Sequence, residues 1–323
     1  MKKSLIAAFV AALLAQPAQA AWPERAIKLV VPFPPGGGTD AVARTVANRL
    51  STELGQTIVI ENRAGAGGTI GTDTVARSEP DGYTIGLATS STHPAAAVLR
   101  NDLTYDPIKD FTPITQIGST AFIIVASPEL PANNLAEFIA YAKQQPSKLN
   151  FANVGVSTLG YLLSLQLQEL TGLDFTHVQY KGSSQVYPDL MAGRVTLLLD
   201  NPGASTSLIN GGKLRSYGTT IATPLLPNVP LISEAGAKVG LEGFNSPFWY
   251  GLVAPAGTPP EVVDKLQKAV ARYVATEEGK ADLTKLSLQP VASEPAAFAA
   301  RIKSDLADFK ALAKKVDLQA PAQ

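Results

Sequence analysis

Lys28-Leu29-Val30-Val31-Pro32-Phe33-Pro34-Pro35-Gly36-Gly37-Gly38-Thr39-Asp40 is the stretch that decides the fold class. Its first four residues are a short β-rich run, its middle is a proline-stiffened glycine loop, and at Asp40 a helical pattern begins. In that pattern Val42, Val46, Leu50 and Leu54 recur every four residues on one face until Gly55 ends it. The junction also carries chemistry. A helix start presents amides without intrahelical partners and the positive end of the helix dipole, so it can hold a carboxylate or phosphate without Arg or Lys. The Phe33–Thr39 loop contains neither cation, and its glycines let a ligand come close to the main chain. Phe33, Pro35, Gly36, Gly37 and Thr39 are therefore candidate ligand-binding residues.

The same alternation continues along the chain. Further β-rich runs are Thr57–Glu61, Thr84–Ala88, Ala121–Ala126, Leu149–Ala152, Phe175–Val178, Val195–Leu199, Arg215–Thr220 and Tyr250–Ala254. Helix starts are expected near Thr72, Asn134, Thr158, Ser184, Gly203, Pro260 and Pro295; the two prolines suit a first helical position, where the missing N–H has no partner to lose. The last helix carries Phe298, Ile302, Leu306 and Phe309 on one face, a pattern for burial. Strands alternating with amphipathic helices argue for α/β layers around parallel or mixed sheets. One echo is visible, Gly38-Thr39-Asp40-Ala41-Val42-Ala43-Arg44 against Gly71-Thr72-Asp73-Thr74-Val75-Ala76-Arg77, and we read both as glycine loops feeding capped helix starts. Two copies are too few for a solenoid.

Lys2 and Lys3, an apolar run from Leu5 to Ala15 and Ala18-Gln19-Ala20 form a secretory signal pattern with a small-x-small cleavage site, so residues 1–20 are expected to be removed. The apolar run is shorter than the roughly 20 residues a membrane span needs. Without the two signal lysines, 25 basic groups face 27 acidic ones, a mature charge of about −2 that gives nucleic-acid binding no support. There is no cysteine, which excludes disulfides, thiolate metal sites and a lipid anchor on an N-terminal Cys. A freely diffusing monomer is expected. A chain of 323 residues often splits into two domains, and no low-complexity linker separates them, so strands that cross between lobes would have to join them.

Other strand ends repeat the polar junction. Asn153-Val154-Gly155-Val156-Ser157-Thr158 and Tyr180-Lys181-Gly182-Ser183-Ser184 each lie between a strand and a helix, and Thr89-Ser90-Ser91-Thr92 is a hydroxyl-rich strand end. Asp200-Asn201-Pro202 places a carboxylate where it could accept from a ligand donor or cap a helix. Ser90, Asn153, Gly155, Ser157, Thr158, Tyr180, Lys181 and Asp200 complete the candidate ligand-binding set. No cofactor is expected: the loop Glu61–Gly71 has Ile70 where a dinucleotide fingerprint needs its third glycine, and no acidic residue follows at the spacing a ribose requires. Ser157 is not in a nucleophile elbow, and only His93 and His177 are available as imidazole bases, with His177 inside an apolar strand pattern. Two scattered histidines make no metal site, and an enzyme is not expected.

Taken together, these motifs resemble the substrate-binding proteins of tripartite tricarboxylate transporters, the Bug-type receptors. The matching stretches are Trp22-Pro23, Val31–Gly37, Glu61-Asn62-Arg63 with Gly65 to Gly71, Pro80-Asp81-Gly82-Tyr83-Thr84, and Tyr105-Asp106-Pro107 with Asp110-Phe111. Val178-Gln179-Tyr180-Lys181-Gly182, Glu234-Ala235-Gly236 and Gly251-Leu252-Val253-Ala254-Pro255 continue the match over nearly the whole mature chain. The resemblance implies a type II periplasmic-binding-protein fold, two α/β lobes with a ligand cleft between them. Residues 21–124 and 223–323 would form the first lobe and 125–222 the second. It further implies a periplasmic receptor for a di- or tricarboxylate, an aromatic acid or an amino acid, held largely by backbone amides, which delivers its ligand to inner-membrane transporter subunits. A receptor of the same fold that signals to a membrane sensor is the alternative. By this resemblance the first-lobe loop is Phe33 to Thr39 and the second-lobe loop Asn153 to Thr158. The family usually has Gly where this chain has Ser157 and His where it has Tyr161, so the second-lobe side of the pocket is expected to suit a different ligand.

Overall fold

A computed structural model describes residues 22–145 and 149–316; the expected signal segment, residues 1–20, lies outside the described residues. In chain order the strands are β1 (Ile27–Val31), β2 (Ile58–Asn62), β3 (Thr84–Thr89), β4 (Phe111–Thr120), β5 (Ile123–Ala126) and β6 (Asn150–Asn153). They continue as β7 (Thr176–Gln179), β8 (Leu197–Asp200), β9 (Arg215–Thr219), β10 (Phe248–Pro255) and β11 (Gln289–Pro290). Two mixed sheets result, ordered β11-β4-β10-β3-β1-β2 and β7-β6-β8-β5-β9. Three parallel strands repeat in each: β1 lies between β2 and β3, and β6 lies between β7 and β8. In both repeats the central strand comes first and feeds a helix across a short loop. Those two loops, after Val31 and after Asn153, therefore occupy equivalent places at the carboxyl ends of parallel strands, where α/β sheets bind ligands.

The helices follow their local signals. Gly38–Leu54 buries Val42, Val46 and Leu50 and stops at Gly55 in the left-handed conformation. Asn134 caps Leu135–Gln144 by accepting from the Glu137 amide, and Thr158 caps Leu159–Thr171 by accepting from the Tyr161 amide. Pro260–Ala275 and Pro295–Lys315 begin on the expected prolines, and Phe298, Ile302 and Phe309 of the latter are buried. Helix Thr69–Ala76 starts three residues before Thr72, and neither it nor Gly38–Leu54 has a side-chain cap. The echoed segments match instead in an ion pair one turn apart: Arg44 Nε donates to Asp40 Oδ2 at 2.8 Å and Arg77 Nε to Asp73 Oδ2 at 2.9 Å.

Ten-residue β4 is absent from the strands expected from sequence. Pro113, Gln116 and Gly118 blur its pattern, and it forms because β10 pairs along nearly its whole length while β11 takes its other edge. The chain leaves the first sheet after Thr120 and enters the second at Ile123, so β5 belongs wholly to the second sheet rather than straddling a boundary at residue 124. The return also falls later than residue 222. Leu226 packs with Ile123, Val186 and Leu198, and Leu231 bridges to Thr219, so this segment stays with the second sheet until β10. Sequence periodicity reports strands, not the sheet that recruits them. Among the described residues no helix is long and apolar enough to cross a membrane.

Candidate functional site

A cavity of about 60 Å³ lies between the two sheets, several times the ~10–15 Å³ that a single water needs. Phe122 and Phe248, at the two points where the chain passes between sheets, line it with their rings in edge contact 5.2 Å apart. Its polar wall is made by helix starts. Gly37, Gly38 and Thr39 begin the 17-residue helix Gly38–Leu54, and Thr158 and Gly160 begin Leu159–Thr171. Gly182, Ser183 and Ser184 begin Ser183–Met191, and Asn201 precedes Pro202–Asn210. Four positive helix ends thus converge on one space, while among the described residues no Lys or Arg lines it. Each end favours a nearby anion by roughly 0.3–1 kcal/mol. An exposed lysine ion pair contributes about 0–1 kcal/mol, so the converging backbone is the stronger anion-binding device here.

The first loop is held from behind. Asp40 is buried; its Oδ2 accepts from the Gly36 amide at 3.0 Å and from Arg44, and its Oδ1 accepts from Asn62 Nδ2 at 2.9 Å. Asn62 also donates to the Phe33 carbonyl at 3.0 Å. Burial works to raise the Asp40 pKa, but the hydrogen bonds from Arg44, Gly36 and Asn62 outweigh it and keep the carboxylate below its ordinary value. The clamp is therefore ionised at neutral pH. Asn62 reaches the loop because it ends β2 opposite Val31, the last residue of β1.

Asp200 ends β8 inside the cavity and is only 5% exposed. Ser183 donates to its Oδ1 at 2.8 Å and the Tyr187 hydroxyl to its Oδ2. Burial nevertheless raises the Asp200 pKa, and burial together with the adjacent carboxylate raises that of Tyr187. A ligand group beside Asp200 does best as a donor.

Of the residues singled out from sequence, Phe33, Gly37, Thr39, Thr158 and Asp200 line this cavity. Gly155, Tyr180 and Lys181, again with Phe33, line a second and larger one. Pro35, Gly36, Ser90, Asn153 and Ser157 line neither, because their polar groups are spent elsewhere or point away. Pro35 and Gly36 are exposed, with the Gly36 amide on Asp40. Ser90 Oγ accepts from the Trp249 amide at 2.9 Å. Asn153 is joined to His177 Nδ1 at 2.8 Å and donates to the Phe151 carbonyl. Ser157 Oγ donates to the Ala66 carbonyl of the other sheet's layer at 2.7 Å. Tyr161 packs against the His177 ring, 5.2 Å between centroids, and is absent from the cavity wall. Of the two departures from the family pattern, Ser157 binds the other layer and Tyr161 packs on His177, so neither side chain lines the inner cavity. Sequence reasoning missed the Asp40–Asn62 clamp, the two phenylalanines of the crossings, and Ser91. Ser91 lines the cavity and accepts from the Leu159 amide at 3.0 Å, so it touches both layers. An acid two residues into a helix that follows a glycine loop, with an Asn ending the neighbouring strand, is the signal that could have revealed the clamp.

His93 and His177 sit in different layers. His93 is fully buried among Tyr105, Phe111 and Trp249, and burial lowers its pKa to about 3. Among the described residues no cluster of three metal-ligating side chains occurs.

Comparison with known proteins gives one consistent result. The family model described as "Tripartite tricarboxylate transporter family receptor" matches residues 42–318. Protein BugT of Bordetella pertussis is 36% identical over 272 residues, 83% of this chain and 82% of its own. The structure of the periplasmic binding protein BugD is similar at a TM-score of 0.86 and 35% identity, covering 92% of this chain and 99% of that one. R. palustris Rpa4515, solved with adipate, is similar at a TM-score of 0.87 and 34% identity, covering 92% and 98%.

Proposed function

Because the chain belongs to the tripartite tricarboxylate transporter receptor family, we propose that it is a periplasmic receptor that captures a small carboxylate between its two sheets and delivers it to the membrane subunits of such a transporter. Receptors of this family bind solutes, and the chain is a receptor rather than an enzyme. The observation that carries the ligand class is the convergence of four helix starts on a cavity without a cationic side chain. A carboxylate at Gly37–Thr39 and Thr158 meets amides and hydroxyls, and Asp200 opposite disfavours a second anion and favours a donor. The adipate bound by Rpa4515 supports the same class.

The two sheets act as the cores of two lobes joined at the crossings around Ala121–Phe122 and before Phe248. The cavity wall comes from both, so only a closed arrangement lets one small molecule touch all of it.

The test is thermal melting against a panel of mono-, di- and tricarboxylates, with amines and neutral sugars as controls. A carboxylate-only shift is expected; stabilisation by sugars or amines and by no acid overturns the reading. Uptake by a deletion strain checks delivery, and loss of gene induction with intact uptake would favour the sensing alternative.

A further inference from the structure

Among the described residues Asp200 is the only charged side chain that lines the inner cavity. The elements around it present neutral groups. β5 lies beside it at Ile123, β6 ends in Asn153, and helix Ser183–Met191 meets it with the hydroxyls of Ser183 and Tyr187. The facing helix starts add the hydroxyls of Thr39 and Thr158. From β10 the Tyr250 hydroxyl donates to Oδ1 of Asn201, the next residue, at 3.1 Å. Tyr187 and Tyr250 are the titratable groups that face Asp200, and burial raises the pKa of both, so each is a neutral phenol at pH 7. A hydroxyl donates to a carboxylate and accepts from a carboxylic acid, so Ser183 and Tyr187 satisfy Asp200 in either state. The site is built to hold Asp200 with its proton or without it.

We infer that the receptor binds its acid together with a proton, which Asp200 takes up from solvent as the acid enters the inner cavity, so that capture strengthens as pH falls. The inference rests on the carboxylate reading above and adds a second, ionic partner to it. A round space of about 60 Å³ is only about 5 Å across, so a carboxylate held there stays close enough to Asp200 for one charge to shift the other's pKa. Two carboxylates in one buried site do not both stay ionised without a counter-ion; they share a proton. The four helix starts stabilise either anion and so do not remove the conflict. Burial by itself already raises the Asp200 pKa, which makes Asp200 rather than the amide-held acid the group that takes the proton. An O–H bond forms on Asp200, and the charge of the incoming head group is balanced. The Asp200 O–H then supplies the donor that a group beside Asp200 requires. Since the pKa of Asp200 is higher with acid bound than without, protons are taken up between those two values, and affinity rises there by at most about tenfold per unit fall in pH. Below about pH 4 the acid itself protonates and the trend reverses.

Titration calorimetry of the intact mature chain decides it, with acetate, succinate, malate, adipate and citrate as probes. Each is run between about pH 5 and 8 in two amine buffers of different ionisation heat, since the buffer that yields the proton adds its own heat and, being a cation, does not compete for the site. The expected result is uptake of up to one proton per acid bound, with affinity rising as pH falls through the same range. Asp200→Asn keeps the shape but cannot ionise; it should bind without proton uptake and with an affinity flat in pH. Tyr187→Phe removes a donor to the ionised form only, so it should move the uptake to higher pH. Binding with heats independent of buffer throughout the range overturns the inference and leaves the carboxylate reading standing. Undiminished uptake in Asp200→Asn does the same, and so, should that variant not fold, does an unmoved profile in Tyr187→Phe. Failure of every acid to bind overturns both.

Discussion

The Ser157 hydroxyl, on the loop after β6, donates to the carbonyl of Ala66 on the glycine turn after β2, 2.7 Å away, and ties the two layers together at the wall of the second, larger cavity. Leu159 N to Ser91 Oγ at 3.0 Å and the Tyr250 hydroxyl to Asn201 Oδ1 at 3.1 Å are further ties between the layers. Ser157→Ala removes one bond of about 0.5–1.5 kcal/mol between the two layers, which under the proposed closure is made only when the lobes are shut. Ligand affinity should fall by roughly two- to tenfold with the fold intact. Calorimetry reads the affinity, and small-angle scattering at saturating ligand should still show compaction relative to the ligand-free protein. An unchanged affinity would mean that the contact does not hold the lobes together.

Gly67 tests the same closure from the opposite side. Its φ is +66°, and a Cβ there would stand 2.3 Å from Ser157 Oγ. Gly67→Ala should therefore weaken ligand binding more than Ser157→Ala does, by strain and by collision. In Ser157→Gly the collision is gone, so the double variant should bind better than Gly67→Ala alone. If it binds worse, the two residues do not meet in the ligand-bound state.

Gly37 has an ordinary φ of −88°, and a Cβ on it would meet only the Pro34 carbonyl, at 4.0 Å. Gly37→Val should fold normally while filling the place of the ligand carboxylate. At about 100 times Kd the wild type gains roughly 2.7 kcal/mol from ligand. That gain should vanish in Gly37→Val and fall only partly in Lys181→Ala. A full ligand shift in Gly37→Val together with its loss in Lys181→Ala would show that the side-chain cation, not the backbone, anchors the acid.

His93 gives the ligand-free protein a pH dependence. Its folded pKa of about 3 lies below the unfolded value near 6.5, so the unfolded chain binds the extra proton between the two. Its contribution is complete above about pH 6.5 and is lost as pH falls toward 3, amounting to about 2 kcal/mol by pH 5. Denaturant unfolding should show this slope in the wild type and a flatter one in His93→Phe. Equal slopes would assign the acid sensitivity to other groups.

Asp200 works with the opposite sign. Burial raises its folded pKa above the unfolded value, so its favourable contribution is present at low pH and is lost as pH rises through the raised value. The melting temperature of the wild type relative to Asp200→Asn should fall as pH climbs above about 4. A difference that grows with pH instead would mean that the Ser183 and Tyr187 hydroxyls more than offset the burial of the charge.

What the sequence by itself determined is local. The alternation of strands and helices, the caps at Asn134 and Thr158, the proline starts at 260 and 295 and the anion-ready glycine loop after β1 are all written in neighbours a few residues apart. Short-range sterics and hydrogen bonding decide those features, so they are legible without a fold. The tertiary structure alone decided which polar side chains the cavity could use. Ser90, Asn153 and Ser157 look as available as Thr39 and Thr158, but each hydroxyl or amide has a limited set of bonds. Trp249, His177 and Ala66, brought in from distant segments, take those bonds first. The same holds for β4, which pairs with β10 more than a hundred residues later, and for the clamp of Asp40 by Asn62. Pairing partners far apart in the chain leave no periodic trace, and they separate a residue that lines the cavity from one that binds the two layers together.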